Sequence, residues 1–276
     1  MAKITLRNYQ VEAVKFTQKV DFSLLCMRVG SGKTVCAMFA LREFLNRNQV
    51  DKAIVACTKS SVSVFQKDFK EKAGIEVDLV ETLPQLFDFL EGKKKVCLIK
   101  HGMFEKMGGD IITIKKLEKI NQAGLRVALV IDEAHKMQNP EGVAQEAFHR
   151  IDGMFDKIVL LTATPYSSCL SQFWGLICLI HPEIWPTKRS FYFNYIDEVV
   201  IRDPKTHRPI RKEKIRYKNL DDFRSKIEPF TYFYYPNIPL VHVEHHTQLT
   251  SEHLAEYKEL CKGVIKEEEK EKYDIS

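Results

Sequence analysis

Three short stretches of this chain carry the residue types that phosphate chemistry needs. The first is Met27-Arg28-Val29-Gly30-Ser31-Gly32-Lys33-Thr34. Its end reads as a phosphate-binding loop: Gly30 and Gly32 let the backbone of Val29 to Gly32, Ser31 included, wrap an anion and aim N–H groups at it. Lys33 would reach the β- and γ-phosphates of a nucleotide, and the Thr34 hydroxyl would ligate Mg²⁺. The usual G-x-x-x-x-G-K-[ST] pattern has glycine where this chain has Met27. The second stretch, Asp132-Glu133-Ala134-His135, offers one carboxylate to hold Mg²⁺ and another to polarise an attacking water. The third, Thr162-Ala163-Thr164-Pro165, places two hydroxyls where they can bond the acidic turn and relay nucleotide state through His135. A lone G-K-T leaves kinase, GTPase, transporter and helicase open; all three stretches in this order favour a motor.

Such residues need strands that end beside one another. Apolar runs of strand length precede each stretch, at 22–27, 127–131 and 158–161, and further runs lie at 53–57 and 96–99. Helical spacing is expected over 34–47, 60–72, 83–91, 142–151 and 167–180, with an opening helix from Asn8 to Lys19. This alternation predicts an α/β fold: a central, mostly parallel sheet with helices on both faces. In such sheets ligands bind at the carboxyl ends of the strands, where the three stretches fall.

Composition narrows the class. Hydrophobic residues make up 45% of the 276, enough for a sizeable core. No apolar run approaches the roughly 18–20 residues of a membrane span, and the first residues lack a signal-peptide core. The seven cysteines are scattered with no C-x-x-C pair, so Cys26, Cys57 and Cys97 read as small core residues of a reduced, cytoplasmic protein. A net charge of +5 permits nucleic-acid binding without demanding it.

The three motifs together resemble the superfamily 2 helicases and translocases, and more narrowly their SWI/SNF-type branch, where the position of Met27 is not restricted to glycine. Looser matches run along nearly the whole chain. Leu6-Arg7-x-Tyr9-Gln10 resembles the branch's adenine-recognising motif, which implies that Gln10 reads the adenine edge with Arg7 beside it. Ala53 to Thr58 with Phe65 and Asp68, and Val96 to Ile99 leading into His101, resemble its DNA-side segments, which implies DNA contacts at Lys59, Ser60 and His101. Phe173-Trp174, His181 to Trp185 and Glu228-Pro229-Phe230 resemble later segments; where the family often has an arginine pair, this chain has Phe233 and Tyr234. The resemblance implies a RecA-like P-loop lobe that uses ATP and Mg²⁺, a DNA partner that is duplex and read without sequence preference, and a second RecA-like lobe that supplies an arginine finger.

No second strand–helix series follows Thr164, so the chain is expected to be one lobe (1–250) with a charged helical tail (251–276) toward the missing one. Alone it should bind Mg-ATP and hydrolyse it poorly. Within the lobe, 186–219 reads as a basic β-hairpin insertion turning near Asp203 to His207, with Arg208, Arg211 and Lys212 available to a phosphate backbone. Arg28 stands where the branch tends to be acidic and is expected to point outward. His242, His245 and His246 read as structural rather than as a zinc site. Two other readings stay open: a nucleotide-dependent interaction module, and the motor lobe of a restriction-type complex. The expected location is a bacterial or host-cell cytoplasm, or the nucleus if the source is eukaryotic.

Overall fold

The computed structural model describes residues 5–166, 170–202, 206 and 209–235. After helix α1 (Asn8–Thr17) the chain alternates through β1 (Phe22–Met27), α2 (Lys33–Asn46), β2 (Lys52–Cys57), α3 (Val62–Asp68), β3 (Asp78–Val80), α4 (Leu83–Glu91) and β4 (Val96–Lys100). It continues with α5 (Met103–Gly109), α6 (Ile111–Gln122), β5 (Val127–Ile131), α7 (Val143–His149) and β6 (Lys157–Thr162). The last described part holds α8 (Leu170–Cys178), α9 (Lys188–Tyr195), β7 (Ile196–Arg202), β8 (Pro209–Tyr217), α10 (Leu220–Ile227) and β9 (Thr231–Tyr234).

Seven strands form one sheet in the order β3-β4-β2-β5-β6-β1-β9, and every neighbouring pair is parallel. Parallel strands must be covered on both faces, which is why β2 and β5 are buried at every position. Alternate side chains feed two separate cores. Leu24, Cys26, Ile54, Ala56, Leu129, Ile131 and Leu160 pack on one face with Phe104, Phe148 and Trp174. Leu25, Met27, Val55, Cys57, Val130 and Leu161 pack on the other with Ala13, Met38 and Phe44. Five cysteines among the described residues are free and buried.

Local signals account for most boundaries. Thr82 caps α4 and forms a capping box with Gln85. Asp110 Oδ2 accepts from the Thr113 N–H at 2.8 Å and starts α6. The α5–α6 stretch was not among the expected helices, although Asp110 followed by Ile111, Ile114 and Leu117 carries the pattern. β3 and β9 were not expected either. Lys52 is buried, and its Nζ donates to the carbonyls of Phe89 (3.0 Å), Gly92 (2.6 Å) and Lys94 (2.6 Å), closing the end of α4. Burial pushes the Lys52 pKa down.

The stretch read as one hairpin is a helix followed by a strand pair. Residues 188–195 form α9, capped by Thr187 Oγ1 accepting from the Ser190 N–H at 3.1 Å. Its Phe191 and Tyr195 are fully buried against Trp185 and Phe223, and this burial overrides the strand preference of Tyr192, Phe193 and Tyr195. β7 and β8 pair antiparallel apart from the main sheet. Arg211 and Lys212 lie on β8 opposite Ile201 and Val200. Arg208, His242, His245, His246 and the tail 251–276 lie outside the described residues. Among the described residues, no helix is long and apolar enough to cross a membrane, and no three or more His, Cys, Asp or Glu side chains are grouped so as to hold a metal ion.

Candidate nucleotide site

The three chemical stretches emerge from adjacent strands. β6 lies between β1 and β5, with Cys26 of β1 opposite Thr162 and Ile131 of β5 opposite Leu160. The loop after Met27 therefore faces the Asp132-Glu133 turn across the end of β6.

The loop is shaped by Gly30 and Gly32, with φ of 79° and 82°. Gly32 is required twice: its backbone is left-handed, and a Cβ there would sit 2.5 Å from Gln10 Nε2. Ser31 closes the turn, its Oγ donating to the Arg28 carbonyl at 2.6 Å and its N–H to the same carbonyl at 3.1 Å. Arg28 is half-buried. α2 begins at Lys33 with no side-chain cap, so its first amides point at the loop as an anion site does. Lys33 Nζ donates to the Met27 carbonyl at 3.3 Å, which holds the ammonium between the end of β1 and the start of α2.

Gln10 is buried and tied at both ends of its amide. Oε1 accepts from the Arg7 N–H at 2.9 Å, and Nε2 donates to the Ser31 carbonyl at 3.0 Å. An amide keeps a second N–H and a second lone pair, the pair of groups that an adenine edge needs. Arg7 enters through its backbone; its side chain is exposed. Tyr9, which the sequence did not single out for the loop, donates its hydroxyl to the same Ser31 carbonyl at 3.1 Å.

Asp132 is only 6% exposed, and its N–H donates to the Ala56 carbonyl at 2.9 Å. Burial, and then the charge of Glu133, push its carboxyl up to about 6, against the pull of Lys33 and Lys136. A buried carboxylate so poorly compensated is suited to a cation. Glu133 adopts φ 49° and ψ 48°, a left-handed conformation that a non-glycine residue takes at a cost. Its Oε2 lies 3.2 Å from His135 Nδ1, which also lies 3.3 Å from Thr162 Oγ1. Thr162 Oγ1 accepts from the Thr164 N–H at 3.1 Å. Glu133, His135, Thr162 and Thr164 thus form one chain of contacts from the acidic turn into the β6 exit.

Two neighbours hold that turn. His101 Nε2 donates to the Asp132 carbonyl at 2.8 Å, and burial keeps the ring pKa below its usual value, so a residue expected to face DNA braces the acidic turn. Helix α8 approaches from beneath: a Cβ at Gly175 would lie 1.7 Å from the Gln138 carbonyl. Lys59 and Ser60 stand exposed on the turn after β2, at the same edge of the sheet. Ser60 Oγ shares a 3.0 Å hydrogen bond with Thr58 Oγ1.

A parallel sheet with a glycine-shaped loop and an uncapped helix at one strand end, and an Asp-Glu turn with a buried aspartate two strands away, defines a P-loop nucleotide-binding lobe of the RecA type. Within that class, the chain belongs to the SNF2-related domain family, whose model matches residues 9–230. It is 21% identical over 215 residues to the DNA repair protein rhp54 of Schizosaccharomyces pombe, a match covering 69% of this chain and 24% of that protein. It is 25% identical over 181 residues to the uncharacterized ATP-dependent helicase YqhH of Bacillus subtilis, covering 63% of this chain and 29% of that protein. The chain thus spans about a quarter of the length of these relatives. Its fold is similar to the SWI2/SNF2 ATPase core of Sulfolobus solfataricus solved with dsDNA, at 15% identity and a TM-score of 0.58, covering 84% of this chain and 44% of that one.

Proposed function

We propose that this chain is the ATP-binding lobe of a DNA-dependent ATPase that couples hydrolysis to movement along duplex DNA. The observation that carries the reading is the facing of the Lys33 loop and the Asp132-Glu133 turn across β6, with Thr162 bonded to His135 between them. Gln10 takes the adenine edge, and the amides of Val29 to Gly32 with Lys33 hold the phosphates. Glu133 orients the attacking water. Mg²⁺ suits the hydroxyl of Thr34 and the poorly compensated carboxylate of Asp132, and when bound it neutralises phosphate charge.

DNA is engaged through its backbone at Lys59 and Ser60 and along the basic arm at Arg208, Arg211 and Lys212. Binding is therefore indifferent to sequence and weakened by salt. A second RecA-like lobe supplies an arginine, a group worth roughly 10³–10⁵ in rate where such fingers act. The working location is a bacterial or host-cell cytoplasm, or a nucleus if the source is eukaryotic.

The test is Mg-ATP binding and steady-state ATPase on this chain, with and without duplex DNA, using Lys33→Ala as the blank. The expected result is saturable Mg-ATP binding, abolished by Lys33→Ala, with turnover that stays near the blank until a second lobe is supplied. Absence of Mg-ATP binding by the wild-type chain overturns the reading.

A further inference from the structure

The edge strand β9 and the residue after it contact the start of the phosphate loop, Tyr9 and the Thr162–Pro165 segment. Its ladder with β1 pairs Met27 with Tyr234, and one further bond carries it into the loop: the Arg28 N–H donates to the Tyr234 carbonyl at 3.0 Å. The Tyr234 ring stacks on Tyr9 with centroids 3.8 Å apart and planes 11° apart. Tyr9 is the residue whose hydroxyl holds the Ser31 carbonyl. Tyr232 Oη donates to the Tyr9 carbonyl at 3.0 Å. Just past the strand, Tyr235 Oη donates to the carbonyl of Ala163 at 3.1 Å, inside the Thr162–Pro165 segment. Phe233 faces the other way, with its ring 6.3 Å from that of Phe173 of α8, as strand alternation requires.

We infer that Tyr9, Tyr232, Tyr234 and Tyr235 form a positioning frame for ATP, a role that rests on the reading of the loop as an ATP site. Both ends of the phosphate loop hang on this frame: Arg28 through the Tyr234 carbonyl and Ser31 through the Tyr9 hydroxyl. An anion-binding loop works by holding its amides in place before the anion arrives, so loosening either end lowers affinity without removing a single ligand contact. The stack fixes Tyr9, and so fixes the hydroxyl that holds the Ser31 carbonyl beside Gln10. None of these tyrosines need touch the nucleotide.

Titration of the 276-residue chain with Mg²⁺ and a fluorescent N-methylanthraniloyl ATP tests the frame. Tyr234→Leu removes the stack and should raise Kd about tenfold, the scale of an aromatic pair. Tyr234→Phe keeps both stack and carbonyl and should stay within about twofold of wild type. Rescue by phenylalanine, with an unchanged melting temperature in the phenylalanine variant, marks positioning rather than general destabilisation. A folded Tyr234→Leu that binds like wild type overturns the inference. Should Tyr234→Leu fail to fold, Tyr9→Phe decides: it deletes one hydroxyl and should weaken binding about threefold, the scale of one modest hydrogen bond, and wild-type affinity overturns the inference. Wild-type chain that binds no nucleotide overturns the ATP reading itself, a result separable from wild-type binding that the variants leave unchanged.

Discussion

The middle of the sheet and its α8–β9 flank are assembled by different means. β1, β5 and β6 are mostly aliphatic strands buried on both faces and held by backbone ladders. The flank is aromatic: Trp174, Trp185, Phe191, Tyr195 and Phe223 meet ring to ring, many of them edge-on. Aliphatic cores accept swaps of similar volume at small cost, whereas ring clusters depend on specific angles. The chemistry sits on the tolerant part, and the part that frames it is the exacting one.

The largest expected effect breaks the flank. Trp185→Ala removes a ring that is 2% exposed and stacked on Phe223, and should cost about 3–5 kcal/mol in chemical denaturation. Next comes Asp132. Its carboxyl is held up to about 6 in the folded chain against 3.8 ordinarily, so the fold binds that proton more tightly than the unfolded chain does. This contribution to stability is complete below about pH 4 and lost as pH rises through about 6. Asp132→Asn should therefore stabilise the nucleotide-free chain by about 1–3 kcal/mol at pH 7.5 and lose that advantage near pH 4, as read by melting curves at both pH values. The same variant should lose Mg-ATP, an exchange of function for stability. In the aliphatic middle, Ile54→Val should cost only about 1 kcal/mol in denaturation. Smallest of all, Lys94→Ala breaks an exposed pair with Asp78 and should shift stability by less than about 0.5 kcal/mol; a larger shift would mean that surface pairs brace the β3 edge.

The same division explains what the sequence made legible. The phosphate loop, the acidic turn and the Thr162 segment are local: each is a buried strand followed by residues whose backbone needs are written in their types, as Gly32 shows. Thr162 and Thr164 are expected to bond the Asp132–His135 turn, and the contact found is between Thr162 Oγ1 and His135 Nδ1. The flank depends on partners distant in the chain. Tyr192, Phe193 and Tyr195 read as strand formers, and only burial of Phe191 and Tyr195 against Trp185 and Phe223 makes that segment helical. Phe233 and Tyr234 stand where the resembling family often has an arginine pair. The role of Tyr234 appeared only when Tyr9, far away in sequence, was found stacked on it. The resemblance places His101 on a DNA-side segment, and the hydrogen bond of its ring to the Asp132 carbonyl, a contact between two different strand ends, is not legible from that segment alone.

The contact between Gly175 and the Gln138 carbonyl leaves no side chain between helix α8 and the turn that follows the acidic pair. Close-packed interiors transmit strain, and here the gap that could absorb it is missing. Any displacement of residues 134–138 would be passed to α8 at nearly full amplitude, as in a gear train cut without backlash. Adding even one methyl at position 175 would jam the train rather than loosen it.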